Sequence, residues 1–318
     1  MNTVDSPSKL SLTFGDYGLG VRVGTHAYRF SYDQGLTSIC VRGKEWVYRA
    51  PRPIFWRATT ENDLGAHFPQ KVAPWYGASQ FISGQVQRLA IDGQGQALPL
   101  GAAANRFAGE VVAAKVAITY RYTLPLVAEA YCDVTYTVAE DAALTVAVVY
   151  PGFAGLPELP VFGLQLIMPT PATGFTYTGL SGETYPDRQA GGVLGTYQIQ
   201  GLPVTPYLVP QDCGVHMQTT AVAITRARTL NNAARTQEPF TLQVSATATP
   251  FAFSCLPYTA FELENATHQD ELPPVRRTVL TVMGAVRGVG GIDSWGSDVA
   301  APYHIDSAQP HRFRFKLA

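Results

Sequence analysis

The segment Gly288-Val-Gly-Gly-Ile-Asp-Ser-Trp-Gly-Ser297 gathers an acid, two hydroxyls and a large aromatic ring among glycines. Gly290 and Gly291 lack the Cβ that forbids positive φ or a close backbone approach, so the chain can bend sharply here. Trp295 follows Ser294 and precedes Gly296 instead of sitting in an alternating apolar run, which predicts a tryptophan carried by a loop. Such a ring is a flat platform for an apolar partner, the C–H face of a sugar among them. The other reading is a ring that caps the core. Asp293 stands where a short carboxylate readily accepts backbone amides and fixes a turn, so Gly290, Gly291, Asp293 and Ser294 are read as the platform's supporting loop.

Two further stretches are dense in chemistry. In Phe55-Trp-Arg-Ala-Thr-Thr-Glu-Asn-Asp-Leu-Gly65, Arg57, Glu61, Asn62 and Asp63 could line a polar pocket. Alternatively, Asn62 and Asp63 fold onto nearby amides and Arg57 pairs with a carboxylate. Gly182-Glu-Thr-Tyr-Pro-Asp-Arg188 offers Glu183 and Asp187 around a proline. Two carboxyls are the equipment of glycoside hydrolysis, but they must stand about 5 to 9 Å apart across a sugar, which this spacing does not ensure. A turn or an ion pair is the simpler use. His26, His67, His216, His268, His304 and His311 are scattered singly, without the close pairs of a metal site, so no metal is expected in this chain. There is no Gly-X-Ser-X-Gly elbow and no phosphate-loop spacing, which argues against a serine hydrolase and against nucleotide binding.

Positioning these residues falls to strands. Ser11–Phe14, Lys115–Tyr122, Tyr131–Val138, Leu144–Tyr150, Thr241–Thr247 and Thr278–Met283 alternate apolar and polar residues or are rich in β-branched and aromatic ones. With 29 glycines and 23 prolines, turn signals fall too close together for long helices. Only Phe261–Leu272, ended by Pro273 and Pro274, reads as a short helix. The prediction is an all-β chain: one large antiparallel sandwich over residues 9–318, with residues 1–8 as a loose N-terminal tail.

Composition narrows the partners. Apolar residues make up 46% and charged residues 15%, a charge content low enough that part of the surface is expected to be covered by another molecule. A net charge of −1 leaves no electrostatic footprint for nucleic acid or an anionic membrane. The polar opening residues lack the apolar core of a signal peptide, which predicts a cytoplasmic protein. The widely spaced Cys40, Cys132, Cys213 and Cys255 are read as free thiols.

Taken together and in order, the motifs carry a resemblance. Phe55–Gly65, Glu183–Arg188, Thr205-Pro-Tyr-Leu-Val-Pro-Gln-Asp-Cys-Gly214, Ala266-Thr-His268, Gly290–Gly296 and Pro302-Tyr303 follow the order found in the last domain of bacterial beta-galactosidases of glycoside hydrolase family 2. The chain looks most like the small subunit of the two-chain members, where that domain is a separate polypeptide beside a large catalytic subunit. The resemblance implies a galactose mutarotase-like supersandwich. It implies retaining hydrolysis of terminal β-D-galactosides such as lactose, with both catalytic glutamates, and any Mg or Na, on the large subunit and no cofactor in this chain. It implies that Trp295 binds substrate as part of the aglycone platform, and that no catalytic residue lies here. Gly155–Gly163 falls where the family has a loop that moves near the active site. The sequence departs from the family pattern at Asp212, Cys213 and His216, where glutamate, asparagine and arginine are common, and at Leu64, which replaces an arginine. A stand-alone mutarotase-like or carbohydrate-binding protein is the alternative on the same fold, and a purely structural subunit is a third reading.

Overall fold

In a computed structural model, residues 9–97, 111–126, 129–231, 233 and 237–318 are described, and the predicted N-terminal tail lies outside them. Three sheets, all with antiparallel pairing, account for the described strands. A six-stranded sheet runs in the order Lys44–Glu45, Gly35–Val41, His26–Ser31, Gly18–Val23, Leu10–Phe14, Val111–Ala113. A ten-stranded sheet includes Gly174–Leu180, Ala221–Arg226, Phe240–Ala246, His311–Leu317, Leu144–Tyr150, Tyr131–Ala139 and Lys115–Thr123 as consecutive neighbours. The third has five strands, Val215–Thr219, Phe251–Leu256, Thr278–Val286, Val161–Met168 and Arg49–Ile54.

The predicted all-β antiparallel architecture is thus observed, and the alternation has its physical cause in burial. In Tyr131–Ala139 the side chains of Cys132, Val134, Tyr136 and Val138 are buried while the intervening ones are half-buried. One buried cluster draws Tyr28 and Leu36 from the first sheet, Tyr136 and Val146 from the second, and Phe162 and Leu280 from the third. All four cysteines are free thiols, and all but Cys40 are buried.

The helix content departs from expectation. Three α-helices occur among the described residues: α1 (Glu61–Gly65), α2 (Phe68–Phe81) and α3 (Ala260–Asn265). The single predicted helix, Phe261–Leu272, is broken into α3 and a 3-10 turn at Gln269–Glu271. The 14-residue α2 runs against the expectation that turn signals fall too close together for long helices, although it carries Pro69, Pro74 and Gly77. Pro69 sits in the first turn, where its missing N–H costs nothing, and Pro74 is carried inside the helix by packing. Phe68, Val72, Trp75 and Ala78 are buried at helical spacing, and the Trp75 indole N–H donates to Pro157 O at 3.0 Å. Tertiary burial outweighs local propensity here.

α1 is short and strongly capped. The Thr60 hydroxyl accepts from the Asp63 amide at 3.2 Å while the Asp63 carboxylate accepts from the Thr60 amide at 2.9 Å. This turn faces the glycine-rich segment that follows strand Thr278–Val286.

Candidate functional site

The strand Thr278–Val286 delivers the chain to Arg287, and from there the backbone runs through Gly288–Ser297 as a loop pinned on both sides. Gly290, Gly291 and Gly296 have φ of 73°, 78° and 79°, the left-handed region that favours glycine. A Cβ on Gly296 would lie 2.5 Å from Gly65 O, so the loop's return leg is packed directly against the last residue of α1.

Side chains far away in sequence hold this backbone. The Asp187 carboxylate accepts from the amides of Val289 at 3.0 Å and Gly290 at 2.8 Å. The Arg188 guanidinium donates to Gly290 O, Arg57 Nη2 donates to Gly288 O at 3.2 Å, and Asn62 Nδ2 donates to Val289 O at 3.2 Å. Within the loop, Asp293 Oδ1 accepts from the amides of Trp295 at 2.9 Å and Ser297 at 3.3 Å, and Oδ2 accepts from the Ser297 hydroxyl. Those bonds, the Ser297 hydroxyl first, hold the Asp293 carboxyl below its ordinary range. Ser294 is exposed, and the serine that bonds to Asp293 is Ser297. The result is a tight turn that presents Trp295 with 89% of its surface exposed. The reading of this ring as a core cap is thereby excluded.

Beneath the loop lies a buried ionic network. Arg57 and Asp63, 4% and 2% exposed, form a two-pronged pair at 2.7 and 3.0 Å. Burial works against the Arg57 cation, but the Asp63 and Asp212 carboxylates more than compensate and raise its pKa. Arg287, 1% exposed, reaches Glu158 at 3.0 Å, the Asp298 carboxylate and Asp63 at 3.5 Å, and its guanidinium lies 3.8 Å from the Phe68 ring centre. His304 Nδ1 approaches the same Glu158 at 2.6 Å. The two alternatives for Phe55–Gly65 divide by residue: Arg57 and Asp63 make the ion pair and cap, while Glu61 and Asn62 line an open cleft of about 500 Å³.

Glu183, Arg188, Tyr207 and Asp212 complete much of that cleft's wall. Asp212 lines it and is half-buried. Desolvation pushes its pKa up to about 7, against the pull of Arg57 and of the hydrogen bond from the Tyr185 hydroxyl at 2.9 Å. The acids Glu183 and Asp187 do not form a hydrolytic pair. Glu183 accepts from the Thr205 hydroxyl at 2.6 Å, and Asp187 is occupied by the loop amides. His216 is walled in by Tyr177 and Phe253, with its Nδ1 at 2.7 Å from Gly182 O. The arrangement presents an exposed aromatic ring on a held loop whose Val289 shares in the wall of a polar cleft, with carboxylates used to hold backbone and arginines.

Sequence reasoning passed over Arg287, Glu158 and Asp298. A lone arginine closing an apolar strand immediately before a glycine run was the available signal. Among the described residues, no group of three or more His, Cys, Asp or Glu side chains is placed to hold a metal ion.

The family model for the beta galactosidase small chain matches residues 23–317. The chain belongs to the beta-galactosidase small chain family. It is 53% identical over 311 residues, 98% of each chain, to the beta-galactosidase small subunit of Latilactobacillus sakei. It is 32% identical to the beta-galactosidase BgaC of Bifidobacterium adolescentis and 29% identical to the beta-galactosidase of Streptococcus thermophilus, spanning 28% of the length of each. Among solved structures, a galactose mutarotase-like protein from Lactobacillus casei superposes with a TM-score of 0.42 at 7% identity, covering 94% of this chain and 99% of that one. For a small chain of this family, the loop around Trp295 gathers three of the ordered motifs at one place: Asn62 and Arg57 from the first, Asp187 and Arg188 from the second, and Gly290–Gly296 itself.

Proposed function

We propose that this chain is the small subunit of a cytoplasmic two-chain beta-galactosidase and completes the active site of a large catalytic subunit for retaining hydrolysis of terminal β-D-galactosides such as lactose. Both catalytic glutamates belong to the large subunit in this reading, as do any Mg and Na ions, and residues 9–318 act as one supersandwich. The observation that carries it is Trp295: a tryptophan 89% exposed, on a loop whose backbone is held by Asp187, Arg188, Arg57 and Asn62. Leaving so much apolar ring in water is unfavourable unless a partner or substrate covers it, and rigid support lowers the entropy lost when that happens. The ring stacks on the aglycone side of the substrate; Gly290, Gly291, Asp293 and Ser294 form its supporting turn. No proton transfer is assigned to this chain.

The decisive experiment is hydrolysis of a chromogenic β-galactoside by this chain alone, by the large subunit alone and by the two mixed. Activity that appears only in the mixture is the expected result. Activity in this chain alone would overturn the assignment, and no gain on mixing would favour an independent sugar-binding protein. A mutarotase reading needs a histidine and a carboxylate poised around a sugar, and His216, buried and bonded to Gly182 O, is not so placed.

A further inference from the structure

A cavity of about 230 Å³ opens beside strand Arg49–Ile54, the terminal strand of the five-stranded sheet, and the C-terminal end of α2. It shares no lining residue with the cleft beside the glycine loop. Arg49, Arg52, Gln80 and Gln165 line it, with Phe81 and Phe261 among its apolar walls. Residues three apart on a regular strand face opposite sides of a sheet. Here Arg52 pairs opposite Gln165 and Arg49 opposite Ile167, with a shift of register between them, and the irregularity brings both arginines to one cavity.

The charges around this cavity do not balance. Among the described residues, neither Arg49 nor Arg52 lies within 4 Å of a carboxylate oxygen. The nearby acid, Glu262, is already taken: the Arg277 guanidinium bonds to it, Arg276 stands at 3.7 Å, and the Thr259 amide and hydroxyl each donate to it at 2.9 Å. Burial first, and then the neighbouring Arg52 and Arg277 cations, lower the pKa of Arg49 against a smaller opposing pull from Glu262 and Tyr48. Arg49 and Arg52 are both exposed, and like charges gathered at the mouth of one cavity repel each other, which an anion between them would relieve. In a chain whose basic and acidic residues otherwise almost cancel, at 23 against 24, this concentration is local. The side-chain amides of Gln80 and Gln165 add neutral donors, and arginine forks match the two oxygens of a carboxylate or phosphate.

We propose that this cavity binds a small oxyanion group, a phosphate or a carboxylate, gripped by Arg49 and Arg52 with Gln80 and Gln165 as neutral donors. The anion is either free in solution or carried as an acidic group by the large subunit. Binding of a free anion stands apart from the galactoside reading, since the cavity shares no lining residue with the cleft beside the glycine loop, whereas an acidic group on the large subunit rests on that reading.

The test is calorimetric titration of the full chain with inorganic phosphate at fixed ionic strength, repeated with R49Q, R52Q and the double variant. One phosphate per chain is expected, weakened by about tenfold or more in each single variant, as befits the loss of a charge-assisted hydrogen-bond partner. W295A serves as the control and binds phosphate as the parent does. No phosphate binding to the parent chain, or equal binding to the double variant, overturns the proposal. Titration of the assembled enzyme then separates the sources. Persistent phosphate binding identifies a free anion. Binding lost on assembly, together with weaker assembly of the double variant, identifies an acidic group of the partner.

Discussion

The carboxylate of Asp187 and the amide of Gly290, 103 residues apart in sequence, meet at 2.8 Å, and the same carboxylate takes the Val289 amide at 3.0 Å. This contact fixes the base of the loop that ends in Trp295. Removing it in D187A leaves two backbone donors without their charged acceptor, a loss of about 1 to 3 kcal/mol. KM for a galactoside in the assembled enzyme should rise while kcat falls less, because the ring, not the reacting atoms, loses its place. The double variant D187A/W295A should be no worse in KM than W295A alone. Additive losses in that cycle would show that Asp187 does not act through the tryptophan.

Trp295 itself is a contact residue with almost nothing to lose in the folded chain. Its ring is 89% exposed, so W295A should leave the melting temperature of the small chain unchanged within error. KM in the assembled enzyme should rise by the worth of one stacking contact, about 1 to 2 kcal/mol or roughly 5- to 30-fold. An unchanged KM across several galactosides would leave the ring without a substrate role and favour a purely structural subunit.

Gly296 tests whether the loop's return leg must lie against α1. At φ 79° and with Gly65 O 2.5 Å from where a Cβ would stand, alanine is excluded both by backbone conformation and by a backbone atom that cannot swing aside. G296A should cost about 1 to 3 kcal/mol and raise KM as W295A does. G182A, at φ 71° with no atom near its would-be Cβ, is the control for backbone strain alone. A G296A enzyme with parental KM would mean that the ring finds its position without the α1 contact.

How much of this was legible in the sequence varies with the range of the forces involved. Strand Tyr131–Ala139 could be read because its alternation is the imprint of one buried face. α2 could not, since Pro74 and Gly77 are unfavourable in a helix and only burial of Phe68, Val72 and Trp75 offsets them. The exposed tryptophan and its positive-φ glycines were visible as types in a row, and Asp293 as a turn-forming acid. That Asp63 would fold onto nearby amides and that Arg57 would pair with a carboxylate were among the readings of Phe55–Gly65, because these partners lie three and six residues apart; that Asp187 would serve the loop depends on a meeting between distant segments, for which spacing holds no record. The unbalanced arginines left no signal either, because Arg49 and Arg52 share a cavity only through a shift in strand register.

Asp212 gives the chain a pH dependence of definite sign. Desolvation, as the main cause, pushes its carboxyl, bonded by Tyr185 and facing Arg57, Glu183 and Asp63, up to about 7 in the folded chain from an ordinary value of 3.8. A raised carboxyl pKa means that the folded chain holds a proton the unfolded chain has released. The contribution is therefore fully present below about pH 4, shrinks as pH rises, and is gone above about 7, with a slope of at most about 1.4 kcal/mol per pH unit. D212N cannot ionise and still offers an oxygen to Tyr185, so it should lack this slope. Measured by thermal or urea unfolding, the stability of D212N relative to the parent should improve steadily between about pH 4 and about pH 7, a window set by the two pKa values, and then level off. A constant difference across that window would mean that Arg57 keeps Asp212 ionised throughout. The cleft beside Val289 and Asn62 would then carry one more negative charge at acid pH than this burial implies.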